Sequence, residues 1–73
     1  MLIGLPKEIK DNESRVGLTP ESVKKLISQG HEILVETDAG FGSGFSDGDY
    51  IHLGARIVKK PKEVFENAEL IIK

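Results

Sequence analysis

The chain has no cysteine and no tryptophan. Without thiols it can form no disulfide, offer no thiolate nucleophile and present no cysteine metal ligand, and it is neutral about redox compartment. Basic residues are not clustered. Ten Lys and Arg stand against 12 Asp and Glu, for a net charge of −2, which argues against nucleic acid or an anionic membrane as a partner. No apolar run exceeds a few residues, far short of the ~20 that span a bilayer. Met1 leads directly into a strand-like pattern rather than into the basic start and long apolar stretch of a signal peptide. The expectation is a cytoplasmic protein. No metal-ligand spacing is present, and no nucleophile–base pair can be drawn. At 73 residues, with 38% apolar and 30% charged residues, the chain fits one small globular domain.

What is present is a regular alternation. Leu2-Ile3-Gly4-Leu5 is an apolar run that suits a strand buried on both faces of a parallel sheet, and Pro6 ends it. A helix start follows at Thr19-Pro20, with Thr19 as N-cap and Pro20 as first helical residue. Leu18 and Val23 occupy the staple positions, while Ser22 stands where a capping box would place Glu or Gln. Val23, Leu26 and Ile27 form one apolar stripe, and Gly30 provides a left-handed end. A second strand is expected over residues 32–37, then a glycine-rich loop over 38–44. Ser46 caps a short helix over 47–53, closed by Gly54, with Phe45 and Tyr50 as its staple. A third strand is expected over 55–58. A helix over 61–67 should bury Val64 and Phe65, and a fourth strand covers 69–73.

This βαβαβαβ order predicts an α/β fold, a partial Rossmann-like (flavodoxin-like) open parallel sheet with right-handed crossovers. Two of the helices are only about two turns long, too little to cover both faces of four strands. The last strand would also leave an open edge. The chain therefore reads as the front part of a larger domain, or as one that needs a partner.

The candidate site lies after the first strand. Twelve mostly polar residues, 7–18, separate it from the first helix, about twice the upper length usual for such a connection. Ligands in open α/β sheets sit at that carboxyl edge. Arg15 is the leading candidate there, because a guanidinium fork matches a carboxylate or phosphate bidentately. A surface ion pair with Glu13 or Asp11 is an equal alternative on position alone. Lys7, Glu8 and Lys10 could help shape an anion site, although each is more often a solvated loop residue. Gly40-Phe41-Gly42-Ser43-Gly44 resembles a dinucleotide loop only in part. Position 45 is Phe rather than the third Gly of G-x-G-x-x-G, and Lys59-Lys60 replace the acidic residue expected after the next strand. A tight connection needing positive φ is the better reading. His31 reads as a boundary residue and His52 as a solvated one.

Taken together, Gly4-x-Pro6-Lys7-Glu8, Asn12-Glu13-x-Arg15-Val16-x-Leu18-Thr19-Pro20, Gly30-His31-x-Ile33-Leu34-Val35-Glu36, Ala39-Gly40-x-Gly42-Ser43-Gly44-Phe45, Gly54-Ala55-x-Ile57 and Leu70-Ile71-Ile72-Lys73 resemble the start of the alanine dehydrogenases. The N-terminal part of the pyridine nucleotide transhydrogenase α subunit shares the pattern more loosely. All 73 residues take part.

The resemblance implies residues 1–73 as the N-terminal part of a substrate domain, with the NAD-binding domain absent from this chain. It implies interconversion of L-alanine with pyruvate and ammonia using NAD, commonly in a homo-oligomer, a hexamer. The family's carboxylate-binding arginine falls on Arg15, which would clamp alanine or pyruvate. A substrate-binding lysine falls just past Lys73, and the catalytic histidine and aspartate later still. No catalytic, cofactor-binding or metal-binding residue is therefore assigned here, and the chain alone is expected to be inactive. The alternatives are a transhydrogenase α-subunit segment and a stand-alone binding module without catalysis.

Overall fold

A computed structural model describes residues 1–7 and 17–72. Eight elements follow one another: β1 (Leu2–Leu5), α1 (Pro20–Ser28), β2 (Glu32–Glu36), a 3-10 turn (Phe41–Ser43), α2 (Asp47–His52), β3 (Arg56–Val58), α3 (Pro61–Asn67) and β4 (Leu70–Ile71). The strands form one parallel sheet in the order β3-β2-β1-β4. The open parallel sheet expected from the alternation is present. Of the two common doubly wound orders, 3-2-1-4 is the Rossmann one and 2-1-3 the flavodoxin one. Alternation alone does not say on which side of β1 the fourth strand lands.

That order fixes where the helices go. The first two crossovers step from β1 outward to β3, and the third returns across the sheet to the far side of β1. With right-handed connections, α1 and α2 cover one face and α3 covers the other. Side chains alternate accordingly. Ile3, Leu5, Ile33 and Val35 pack with Leu18, Val23, Tyr50 and Ala55 in one buried cluster. Gly4 faces α3 from the opposite side. A Cβ on Gly4 would stand 2.6 Å from Val64 Cγ1 and 2.7 Å from Ala68 Cβ. The glycine is thus what lets α3 approach the sheet.

The helix ends are set locally. Thr19 Oγ1 accepts the Ser22 N–H at 3.2 Å, and the two hydroxyls lie 3.1 Å apart. Ser22 thus takes up the cap by hydrogen bonding although it lacks a carboxylate. At the other end of α1, Gly30 (φ 94°) donates to the Ile27 carbonyl and His31 to that of Leu26, the paired bonds of a Schellman motif. Gly54 (φ 102°) and Ala55 close α2 the same way onto Ile51 and Tyr50. A reciprocal capping box starts α2: Asp49 N–H donates to Ser46 Oγ, and Ser46 N–H donates to Asp49 Oδ2.

Phe65 corrects the sequence expectation. Val64 is fully buried, whereas Phe65 is 50% exposed. Adjacent helical residues point about 100° apart, so a single short helix lying on a sheet buries only one of them. The element ends also shift. β2 stops at Glu36, where a turn begins: Ala39 N–H donates to the Glu36 carbonyl at 3.0 Å and Asp38 sits at φ 64°. The β4 ladder is confined to Leu70–Ile71 within the expected 69–73.

Candidate functional site

Parallel strands bring all four carboxyl ends to one edge of the sheet. β1 delivers Pro6 and Lys7 there, β2 delivers Glu36, Thr37 and Asp38, and β4 delivers Ile72. Strand order reverses at β1, with β2 on one side and β4 on the other. The crevice between the carboxyl ends of β1 and β4 is therefore the topological switch point, where open α/β sheets hold small ligands. The described chain stops at Lys7, just past β1, and resumes at Gly17, just before α1. Arg15, Glu8, Lys10, Asp11 and Glu13 fall in that segment, and they and Lys73 lie outside the described residues.

The described ends of the segment are well anchored. Lys7 N–H donates to Glu36 Oε1 at 2.9 Å, and Glu36 is only 9% exposed. At the other end the Leu18 carbonyl accepts the Tyr50 hydroxyl at 2.8 Å. Neither contact was apparent from sequence, because they join residues 29 and 32 positions apart. The signals available were a carboxylate closing an apolar strand and a tyrosine at a staple position.

Tyr50 is fully buried and meets Phe45 edge-on, with ring centroids 6.5 Å apart. This is the staple geometry expected of the pair. The glycine-rich loop wraps this tyrosine. A Cβ on Gly40 would come within 2.7 Å of the Tyr50 hydroxyl oxygen, and Gly44 turns the chain at φ 86°. Asp47 fastens the loop's start by accepting the Thr37 hydroxyl and, at 2.8 Å, the Asp38 N–H, while Asp38 itself sits at φ 64°. Tyr50 and Phe45 fill the space where a Cβ on Gly40 would stand.

Burial, and then the nearby carboxylates of Asp49 and Asp47, push the Tyr50 phenol up from 10.0 to about 12. The folded chain thus holds this proton more tightly than the unfolded chain does. Its contribution to stability is complete below about pH 10 and is lost as pH rises through about 12. Two pK units correspond to roughly 2–3 kcal/mol at most. Tyr50 is the sole tyrosine and there is no tryptophan, so phenolate absorbance reports this group alone. It should stay flat through pH 10 in the folded chain and titrate near pH 10 in denaturant. A folded-state midpoint near 10 would contradict the burial.

The other sequence candidates lie elsewhere. His31 opens β2 at the opposite, amino edge of the sheet, half-buried, with Nδ1 lacking a hydrogen-bond partner. His52 is exposed at the end of α2, beside a shallow cleft lined by Pro20, Phe45, Asp49 and Leu53. The Lys7 side chain is exposed at the sheet edge. Among the described residues no group of three or more His, Cys, Asp or Glu could hold a metal ion. Nor is any helix among them long and apolar enough to cross a membrane.

An open parallel sheet in the order 3-2-1-4 defines a Rossmann-like α/β protein. The sequence model of the alanine dehydrogenase/PNT N-terminal domain matches residues 4–73, and the chain belongs to that family. It is 56% identical over 73 residues to the alanine dehydrogenase of Bacillus subtilis (strain 168), covering 100% of this chain and 19% of the relative. An alanine dehydrogenase of Staphylococcus epidermidis is 55% identical with the same coverage. Among solved structures, an L-alanine dehydrogenase superposes with a TM-score of 0.96 at 48% identity, covering 100% of this chain and 20% of that one. A transhydrogenase from Sinorhizobium meliloti superposes with a TM-score of 0.89 at 38% identity, covering 97% of this chain and 21% of that one. The chain thus spans about a fifth of the length of these relatives.

Proposed function

We propose that the chain is the N-terminal part of the substrate domain of an NAD-dependent alanine dehydrogenase. The parent reaction would convert L-alanine, NAD and water to pyruvate, ammonia and NADH. The observation that carries this reading is the gap in similarity. Among the solved structures, identity is 48% to the L-alanine dehydrogenase against 38% to the transhydrogenase. Arg15 then serves as the carboxylate anchor: its guanidinium forks onto the carboxylate of alanine or pyruvate at the β1/β4 crevice and fixes the orientation of the carbon skeleton. NAD would be held by a separate domain of the parent. A homo-oligomer, a hexamer as is common in the family, and a cytoplasmic location belong to the same proposal. The chain by itself would be inactive.

The test is an assay of the full-length gene product with pyruvate, ammonia and NADH. NADH consumption that requires all three is expected. Hydride exchange between NADH and NADP without pyruvate would overturn the reading in favour of a transhydrogenase, which the S. meliloti likeness makes the second candidate.

A further inference from the structure

Asp47-Gly48 is the sole Asp-Gly pair in the chain, and neither asparagine precedes a glycine. In an unfolded chain such a pair can close on itself, because a glycine amide has no side chain to shield it. The Gly48 nitrogen attacks Asp47 Cγ and a C–N bond forms. One carboxyl oxygen leaves as water, carrying the amide proton and the carboxyl proton. A water molecule then opens the succinimide ring at the carbonyl of the original peptide bond. The main chain afterwards runs through the Asp47 side chain as isoaspartate, and the freed carbonyl becomes a carboxylate. Water is the one reactant this sequence needs.

The fold holds both reacting groups away from that course. Asp47 Oδ2 accepts the Thr37 hydroxyl at 2.5 Å, and Oδ1 accepts the Asp38 N–H at 2.8 Å. The carboxylate is therefore committed to the turn that follows β2. Gly48 lies in the first turn of α2, whose start is locked by the reciprocal bonds of Ser46 and Asp49. Ring closure requires Asp47 to leave the helical ψ and to give up both of its bonds. The fold makes no demand for the glycine itself. A Cβ at Gly48 would meet only Ser46 Oγ, at 3.6 Å, and its φ is not positive, unlike those of Gly44 and Gly54.

We propose that Asp47-Gly48 is a site of spontaneous isoaspartate formation, kept latent in the folded protein by the clamp of Thr37 and Asp38 on the Asp47 carboxylate. Isomerisation there puts one more carbon into the main chain at the start of α2. It removes the acceptor of the Thr37 and Asp38 bonds and shifts the capping box that precedes the buried Tyr50.

The test follows isoaspartate in the full-length gene product, by peptide mapping and by methyl transfer from a protein L-isoaspartyl methyltransferase. Denatured wild type should accumulate it at residue 47, and denatured Gly48→Ala should not. Folded wild type should form it at least about tenfold more slowly, because it reacts only through local opening. Thr37→Val removes the hydroxyl and should raise the folded rate by about three- to tenfold, the scale of one lost hydrogen bond. Thr37→Ser should stay near wild type. Val64→Ala loosens the opposite face of the sheet and should leave the rate unchanged. A denatured chain without isoaspartate at residue 47 would overturn the site. Equal rates in folded and denatured wild type would overturn the latency. A Thr37→Val rate no higher than wild type, or an equal rise in Val64→Ala, would overturn the clamp as its cause. Should Thr37→Val fail to fold, the folded and denatured rates of wild type and Val64→Ala carry the test.

Discussion

Replacing Arg15 with alanine in the full-length enzyme should raise the KM for pyruvate by on the order of a hundredfold and leave that for NADH unchanged. The magnitude follows from the chemistry of the contact. A hydrogen bond to a charged group is worth roughly 1.5–3 kcal/mol, and a bidentate pair contributes two. About 3 kcal/mol is therefore a modest total, and each 1.4 kcal/mol is about tenfold. Arg15→Lys keeps the charge but loses the planar fork, so it should recover only a small part of the loss. Steady-state kinetics with varied pyruvate read both effects. Unchanged pyruvate kinetics in Arg15→Ala would leave the surface ion pair with Glu13 or Asp11 as the role of this residue.

The second large effect concerns Gly4. Alanine there should destabilise the protein by about 1–3 kcal/mol, the usual cost of forcing a methyl group into a filled interior. The cause is contact with Val64 Cγ1 and Ala68 Cβ at 2.6 and 2.7 Å, neither of which can move without lifting α3 from the sheet. Two controls separate packing from backbone effects. Gly44→Ala meets nothing within 4 Å but sits at φ 86°, so its cost is that of left-handed backbone alone, about 1–2 kcal/mol. Val64→Ala combined with Gly4→Ala should cost less than the sum of the two, since the smaller side chain makes room. A Gly4→Ala variant that melts like the wild type would mean that α3 does not pack there.

Local punctuation explains why so much of the fold was legible. Thr19-Pro20 and Gly30 bracket α1, Ser46 and Gly54 bracket α2, and Pro61 starts α3. Each works through bonds within a few residues, which a sequence displays directly. Strand order was not legible, because the same alternation allows β4 on either side of the sheet. Phe65 was misplaced because its neighbour Val64 already takes the one inward position of a two-turn helix. The role of Gly4 depends on α3, which lies some 60 positions away. The bonds of Glu36 to Lys7 and of Tyr50 to Leu18 are equally remote in sequence. The candidate site shows the same division. Its location at the strand ends follows from topology, and Arg15 was singled out by its chemistry and by resemblance to the alanine dehydrogenases. The hydrogen bonds that Glu36 and Tyr50 make to Lys7 and Leu18 became visible only in three dimensions.

The most direct measurement is a crystal structure of the full-length enzyme with pyruvate bound. The carboxylate should lie over the carboxyl ends of β1 and β4, with both oxygens within hydrogen-bonding distance of the Arg15 guanidinium. Pyruvate bound away from this crevice, with Arg15 turned toward Glu13 or Asp11, would contradict the assignment of this segment to the substrate site.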